Sequence, residues 1–222
     1  MMKNVVIVGA GDFTGVRIAA DLEKRNCKVE RVLLQGQDGE GIMLDPMNHE
    51  SCKAAAENVA QKMPEVDMLI INIDGTDPDD NATILDELND QEMIRAYEYN
   101  AIGPMRVLYS FRPLLEKGEG KRVCFVTTAE GSNHACCECG GFGRHMSKAA
   151  LNMAVNQEFN GMRPDGYTMR MYCKDLTAPK EQQGAYAAEY FLRSRSYEIE
   201  SYKHSDENRL VLRDAYAREL PW

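Results

Sequence analysis

The sequence contains no long hydrophobic run, and its apolar stretches, such as VDMLIINI at 66–73, have the length of a single strand. A membrane-spanning helix needs ~20 apolar residues, so none is predicted. A basic excess is also lacking, because 26 Lys and Arg stand against 35 Asp and Glu, for a formal net charge of -9. This charge disfavours nucleic acid and anionic membranes as partners. We expect a cytoplasmic protein, since the short N-terminal apolar run ends in a glycine turn and not in a cleavage site.

The sequence also lacks the two separated Cys/His pairs from which structural zinc sites are usually built. Of its seven cysteines, four are scattered and typical of small buried hydrophobes. The other three lie in one crowded stretch, HACCECGG at 134–141. We predict thiols in a flexible loop and no metal, with zinc binding as the alternative. The scattered residues are Cys27, Cys52, Cys124 and Cys173, and the alternative zinc ligands are His134, Cys136, Cys137 and Cys139.

What the sequence does contain is a regular alternation of strand-like and helix-like segments. The run VVIVG at 5–9 is apolar and β-branched, which is typical of a strand buried on both faces of a parallel sheet. A glycine-rich turn follows, and then a predicted helix at about 16–24 and a strand at 28–34. Strand, glycine turn, helix and strand in this order indicate a βαβ unit.

The same alternation continues and predicts a doubly wound, Rossmann-like α/β fold with a parallel sheet of about seven strands. We expect a single domain, residues 1–222, because no linker, repeat or low-complexity segment interrupts the pattern. Pro104 is expected to kink or distort the long helical segment around it. Ligand sites in such folds lie at the carboxyl ends of the strands. The remaining strands are predicted at 41–44, 66–74, 121–130, 167–172 and 209–214, and the remaining helices at 51–63, 85–115, 143–155 and 180–200.

Six phrases, in order and spacing, resemble the short-chain dehydrogenase/reductase family, and in particular its sniffer-like and CsgA-like carbonyl reductases. The resemblance implies an oxidoreductase that transfers a hydride between a nicotinamide dinucleotide and a small carbonyl or alcohol. It also implies a homodimer or tetramer, with a helical bundle as the interface. The phrases are LDPMNHESCKAAAENVA, LIINIDG, YEYNAIGPMRVLYSFRPLLEKG, RVCFVTTAEGS, SKAALNMAV and LRDAYARELPW.

A glycine-rich turn that opens a helix places backbone N–H groups and the positive helix end against a pyrophosphate. In GAGDFTG at 9–15 the family's middle glycine is absent, and Asp12 brings a negative charge near the phosphates. Dinucleotide binding is favoured, and a tight turn without a ligand is the alternative. NAD is favoured over NADP, because Gln35 is neutral and Asp12 is unfavourable to a 2′-phosphate. The implied cofactor-binding residues are Gly9, Gly11, Phe13, Thr14, Gly15, Gln35, Asp45 (which contacts adenine), Asn72, Gly75 and Lys148.

The resemblance also assigns the reaction site, and here the sequence departs from the family at one position. Thr128 stands in the position of the active-site Ser, and Lys148 matches the active-site Lys. The Tyr that should precede Lys148 by four residues is replaced by Arg144. A guanidinium has no acceptor and does not deprotonate in proteins, so it cannot donate a proton as a phenol does. The implied catalytic residues are Asn100 (a water relay), Thr128, Ser132 (an assisting hydroxyl), Arg144 and Lys148.

The missing phenol leaves several alternatives open. A replacement proton donor would be His145, which we instead expect at the surface or facing a dimer partner, or Tyr99 or Tyr172, which no spacing supports. Arg144 and Lys148 lie on one helical face, where two cations suit an anionic ligand such as a carboxylate or phosphate. One hypothesis is therefore an NAD(P)-dependent oxidoreductase with altered chemistry. The others are a catalytically silent sensor or scaffold that binds a nucleotide or anion, and a subunit that pairs with an active partner.

Overall fold

An eight-stranded sheet forms the centre of the computed structural model, which describes residues 4–75, 81–174, 179–193 and 209–222. The strand order is β3-β2-β1-β4-β5-β6-β7-β8, and the first seven strands are parallel, so the predicted doubly wound fold is confirmed. An eighth strand, which the sequence pattern did not predict, pairs antiparallel with β7. The strands are β1 (Asn4–Val8), β2 (Lys28–Leu34), β3 (Ile42–Leu44), β4 (Met68–Ile71), β5 (Arg122–Thr127), β6 (Thr168–Cys173), β7 (Leu212–Arg213) and β8 (Glu219–Leu220).

The strand order changes direction beside β1, which has β2 on one side and β4 on the other. The chain therefore runs outward from β1 to β3 on one side and continues with β4 on the other, which opens a crevice at the carboxyl ends of β1 and β4. Both strands are apolar along almost their whole length and are covered by helices on both faces. This explains why their residues read as continuous hydrophobic runs rather than as alternating patterns.

Helices cover both faces of the sheet and bury two separate cores. On one face, α1 packs against α6 with Ile18, Leu22 and Phe191 in the core. On the other face, α2, α4 and α5 lie over the sheet, with Phe111 and Val155 fully buried. Among the described residues, no helix is long and apolar enough to cross a membrane. The helices are α1 (Phe13–Lys24), α2 (His49–Lys62), α3 (Asp90–Tyr97), α4 (Gly103–Leu115), α5 (Phe142–Met162) and α6 (Lys180–Leu192).

The segment at 85–115 departs from the continuous helix that the sequence predicts. Helix α3 begins only at Asp90, and a π-helical turn at Glu98–Ile102 joins it to α4. The expected distortion near Pro104 is thus present as a wide turn just before the proline, a place where such turns relieve an interrupted hydrogen-bond ladder. The strand predicted at 209–214 is reduced to Leu212–Arg213, and residues 194–200 of the helix predicted at 180–200 lie outside the described residues.

Candidate active site at the carboxyl ends of the strands

The turn after β1 folds tightly against the end of β4. Gly9 has a φ of +82°, and a Cβ atom there would lie 1.8 Å from the carbonyl oxygen of Asn72. A Cβ atom on Gly15 would lie 2.3 Å from the carbonyl oxygen of Gly9. The side-chain amide of Asn72 donates to that same carbonyl at 2.8 Å. Glycine is therefore required at both positions, and Asn72 ties the turn to the neighbouring strand.

The amino end of α1 is capped by Asp12. Its Oδ1 accepts a hydrogen bond from the backbone N–H of Gly15 at 2.6 Å and another from Nδ2 of Asn72 at 2.8 Å. Because Asp12 has a φ of -78°, the missing middle glycine causes no strain at this position. Thr14 is buried behind the cap, while Phe13 is exposed and its ring lies 5.2 Å from the guanidinium of Arg17. A negative charge thus stands where the helix dipole is positive.

Gln37, two residues after the predicted cofactor-binding residue Gln35, reaches the glycine turn. Its Oε1 accepts from the backbone N–H of Gly11 at 3.1 Å and from that of Leu34 at 2.9 Å. The side chain of Gln35 is exposed. Gly36, with a φ of +89°, reverses the chain between the two glutamines. Counting residues from the end of β2 selects Gln35, because the sequence does not show that the chain reverses at Gly36.

Asn100 lies in the π-helical turn and fixes the loop after β4. Its Oδ1 accepts from the backbone N–H of Gly75 at 2.8 Å, and its Nδ2 donates to the carbonyl of Gly75 at 3.0 Å and to Oγ of Ser147 at 3.1 Å. Asn100 is fully buried, and the ring of Tyr99 packs against Gly75. Asn100 therefore positions the residues around Gly75 through its side chain.

Asp45 lies at the end of β3, where its Oδ1 accepts from the backbone N–H of Met47 at 2.9 Å.

Asp74, which the sequence analysis assigned to no role, joins two lysines at the centre of the site. Its Oδ1 lies 2.5 Å from Nζ of Lys148, and its Oδ2 lies 2.5 Å from Nζ of Lys174. The side chain of Lys148 has no exposed surface, and those of Lys174 and Asp74 are 10% and 12% exposed. One carboxylate thus bridges two ammonium groups in a nearly dry environment. A carboxylate at the end of the strand predicted at 66–74 was the signal that could have identified it.

Burial and charge act in opposite directions on the pKa values of this cluster. Burial alone would raise the pKa of Asp74, but the two lysines outweigh it and hold that pKa well below its usual range. Burial lowers the pKa of Lys148, and the attraction of Asp74 offsets only part of this effect. Asp74 is therefore an anion throughout the neutral range, and its charge opposes the loss of the proton from Lys148.

Arg144 does not face Lys148 as a bare charge, because it is paired with two carboxylates of the protein. Its Nε lies 3.5 Å from Oε1 of Glu130, and its Nη2 lies 3.3 Å from Oε2 of Glu138. The other oxygen of Glu130 accepts a hydrogen bond from the hydroxyl of Thr128 at 2.9 Å. Arg144 is thus balanced by Glu130 and Glu138, and Lys148 by Asp74, all from within the chain. An anionic ligand is not needed to balance this face of α5.

A cavity of about 350 Å³ opens beside these residues, at the carboxyl ends of β5 and β6. Thr128 and Glu130 border it, and so does Lys174 from the Lys148–Asp74–Lys174 cluster. The C-terminal segment closes another side through Leu220 and through Asp214, whose carboxylate holds Arg218 at 2.6 Å. The lining combines charged side chains with apolar surface from Ala129, Cys173 and Leu220, and the volume suits a small molecule.

Ser132, the assisting hydroxyl that the resemblance implies, and two of the alternative proton donors, His145 and Tyr172, are engaged elsewhere. The hydroxyl of Ser132 donates to the carbonyl of Pro221 at 2.6 Å and accepts from the N–H of Ala135 at 3.0 Å, so it anchors the C-terminal segment. Nδ1 of His145 lies 2.8 Å from the carbonyl oxygen of Gly141, and 13% of its side chain is exposed, so the ring is half-buried. Its position at the surface or facing a dimer partner stays a prediction. Tyr172 is fully buried against Phe191 in the core.

The cysteines follow the sequence-based prediction where they are scattered. Cys27, Cys52, Cys124 and Cys173 are buried thiols, whereas Cys137 and Cys139 are exposed. Burial raises the pKa of Cys52 to about 11, which makes it unreactive. Within the described part of the chain, no group of three or more His, Cys, Asp or Glu side chains is arranged to hold a metal ion.

Comparison with known proteins identifies relatives of this chain by sequence. C-signal of Myxococcus xanthus is 40% identical over 83 residues, which are 37% of this chain and 50% of that protein. The 1-hydroxy-2-glutathionyl-2-methyl-3-butene dehydrogenase of Rhodococcus sp. (strain AD45) is 30% identical over 187 residues, which are 80% of this chain and 79% of that protein. The chain thus spans about half the length of C-signal but most of the length of the dehydrogenase.

Similarity of structure extends over the whole chain. The NADPH-bound carbonyl reductase from chicken fatty liver superposes with a TM-score of 0.80 at 18% identity, covering 100% of this chain and 95% of that one. At this identity the likeness shows the fold alone. The family described as short chain dehydrogenase matches residues 3–164. The sequence resemblance is thereby confirmed: the chain belongs to the short-chain dehydrogenase/reductase family of oxidoreductases.

Proposed function

We propose that the protein is an NAD(P)-dependent oxidoreductase that acts on a small, polar carbonyl or alcohol substrate. The observation that carries the proposal is the charged cavity of about 350 Å³ at the ends of β5 and β6, which Thr128 and Lys174 both line. Thr128 stands where the family holds the reacting oxygen with a Ser hydroxyl. Lys174 connects the cavity through Asp74 to Lys148, the family's Lys.

The residues of the crevice fit a dinucleotide in backbone shape. The turn with Gly9 and Gly15 brings the amino end of α1 to the crevice, and Lys148 supplies a buried cation for a ribose. Asp12 accepts from the backbone N–H of Gly15, and Asp74 pairs with Lys148. A bound dinucleotide would use these same donors, so binding requires both carboxylates to share or release them. When bound, the nicotinamide supplies or accepts the hydride. The preference for NAD stays a prediction, and the solved relative described above contains NADPH.

The substrate side of the site follows from the lining of the cavity. The hydroxyl of Thr128 can hold a substrate oxygen at the end of β5, in the role that the family gives to Ser. The surrounding charges of Glu130, Glu138 and Lys174 favour a polar substrate over an apolar one, because a greasy molecule would desolvate them without compensation. The volume limits the substrate to a small molecule.

Titration calorimetry with NADH and NADPH, followed by turnover measurements on a panel of small polar alcohols and carbonyls, tests this proposal. We expect binding of at least one dinucleotide and turnover that Lys148→Ala and Thr128→Val each reduce by about 100-fold or more. Glu57→Gln, on the exposed face of α2, is the matched control and should leave both quantities unchanged. Absence of turnover across the panel would reject the oxidoreductase.

A catalytically silent relative is the second candidate, and one observation favours it. The phenol of the family is absent, and the residue in its place, Arg144, is held by Glu130 and Glu138. A protein of this kind would bind a dinucleotide as a sensor or would serve as a scaffold. Dinucleotide binding without turnover of any substrate in the panel supports the sensor, and absence of both supports the scaffold.

We further propose a homodimer or tetramer that assembles through α3 and α5. Large apolar side chains on these helices are exposed: Ile94 is 58%, Met146 is 56% and Met153 is 60% exposed. An apolar groove lies between them. Sedimentation of the wild type and of Met153→Glu tests the proposal, because a charge in the interface should shift the protein to monomers. A wild type that sediments as a monomer at all concentrations contradicts it.

A further inference from the structure

We propose that Glu130 accepts the substrate's proton through the hydroxyl of Thr128, with Arg144 as the residue that positions Glu130. The pair of Thr128 and Glu130 then replaces the missing phenol, and the site favours oxidation of an alcohol. This inference rests on the proposed function, since it concerns the proton of that same reaction.

The hydrogen bonds of the two side chains have the direction that such a relay needs. Thr128 donates its own proton to Oε2 of Glu130 at 2.9 Å, so its oxygen lone pairs are free to accept a proton from a substrate hydroxyl. Oε1 of Glu130 faces Nε of Arg144 at 3.5 Å. The carboxylate of Glu130 is therefore held at one oxygen by the hydroxyl of Thr128 and faces the guanidinium of Arg144 with the other.

The surroundings place the pair at the reaction site and give the proton an exit. Both residues border the cavity, and Thr128 is buried at 4% exposure. The side chain of Glu130 is 20% exposed, so a proton that it receives can pass to solvent. Its charge also interacts with buried Lys148, which shows that it lies within electrostatic reach of the Lys148–Asp74–Lys174 cluster.

The step balances as an alcohol oxidation. The substrate's hydroxyl proton moves to Oγ1 of Thr128 as the proton of Thr128 moves to Oε2 of Glu130. The C–H bond breaks, and its hydrogen leaves with both electrons as a hydride to the oxidised dinucleotide of the proposed function. The carbon–oxygen double bond forms, the substrate is oxidised and the dinucleotide is reduced. Glu130 then returns its proton to water in the cavity.

The charge state of the pair sets the preferred direction. Arg144 stands beside Glu130 as a fixed cation, so the resting site is prepared to take up a proton. Carbonyl reduction needs the opposite state, with a protonated carboxyl group. Arg144 supports the anion by its charge, which explains why a guanidinium, although no proton donor, occupies this position.

Glu130→Gln tests the relay, because it keeps the shape of the side chain and removes the proton acceptor. We expect kcat for alcohol oxidation to fall by about 100-fold with KM changed by less than about threefold, and Glu130→Asp to recover part of the loss. Arg144→Met should lower kcat less than Glu130→Gln does, and Arg144→Lys should restore it. Glu57→Gln is the matched control on an exposed helix face.

A second measurement needs no turnover. In the protein without ligand, the shifts of the unfolding midpoint caused by Thr128→Val and Glu130→Met should be non-additive, because each removes the hydrogen bond from Oγ1 of Thr128 to Oε2 of Glu130. Additive shifts overturn the relay. Loss of activity in Thr128→Val with full activity in Glu130→Gln also overturns it and leaves the proposed function intact. A wild type that binds the dinucleotide but oxidises no alcohol overturns both.

Discussion

Asp74→Asn hardly changes the shape of the side chain but should strongly lower the free energy of unfolding. In the native protein, one carboxylate neutralises Lys148 and Lys174, each at 2.5 Å and almost without solvent. At an effective dielectric constant of about 20, each contact is worth about 7 kcal/mol of attraction before desolvation is subtracted. An amide carries no charge, so the variant leaves two buried ammonium groups without an anion.

The net effect is smaller than the attraction, because burying the three charges already costs much of it. Removing one partner of a buried ion pair typically lowers the free energy of unfolding by about 3–5 kcal/mol. For a chain of this size that corresponds to a fall of roughly 10 °C in the unfolding midpoint. Chemical denaturation followed by circular dichroism measures the first quantity, and a thermal scan measures the second.

Two further variants show whether the loss comes from the cluster. Asp21→Asn breaks the ion pair with Lys24, whose side chain is 74% exposed, and should cost less than about 1 kcal/mol. Combining Asp74→Asn with Lys148→Met should recover part of the stability, because the unpaired cation is removed as well. Stability of Asp74→Asn within 1 kcal/mol of the wild type, or strict additivity in the double variant, would refute the reasoning.

Three other predictions follow from contacts described above. Gly9→Ala should lower the free energy of unfolding by more than about 2 kcal/mol in denaturant titrations, because its Cβ atom would meet Asn72. The control is Gly166→Ala, which has a similar φ of +85° but open space around it and should lose less stability. Equal losses in the two variants would contradict this reading. Asp12→Asn keeps the cap on α1 but removes its charge, so calorimetry should show several-fold tighter dinucleotide binding, and unchanged affinity would count against a phosphate there. Because the folded pKa of Asp74 is depressed, its contribution to stability is complete above the unfolded pKa of about 4 and is lost as the pH falls below it. The difference in unfolding free energy between wild type and Asp74→Asn should therefore shrink in acid, and a constant difference would contradict the assignment.

The fold was predictable because its signals are local. A buried parallel strand such as β1 has to be apolar on both faces, and a tight turn onto a helix has to contain residues such as Gly9 and Gly15. These requirements act within a few residues of one another, so they are visible in the sequence as short motifs. The same holds for Thr128 and Lys148, which lie in recognisable phrases of the family.

The charges around the site were not predictable, because their partners are distant in sequence. Asp74 pairs with Lys148 and Lys174, which lie on α5 and directly after β6, and only the folded sheet brings the three together. Arg144 looks like a repelling charge until Glu130 and Glu138 are placed beside it. Arg144, which stands in place of the family's Tyr, thus belongs to a network of charges with Glu130 and Glu138 that forms only when the chain folds.

The contact between Ser132 and Pro221 has a practical consequence. The sequence contains a single tryptophan, Trp222, which directly follows the proline whose carbonyl Ser132 holds at 2.6 Å. Leu220, two residues before it, lines the cavity. Intrinsic fluorescence excited at the indole therefore comes from one place, beside the mouth of the site. Its emission is a label-free reporter of ligand entry and of detachment of the C-terminal segment, without an engineered probe.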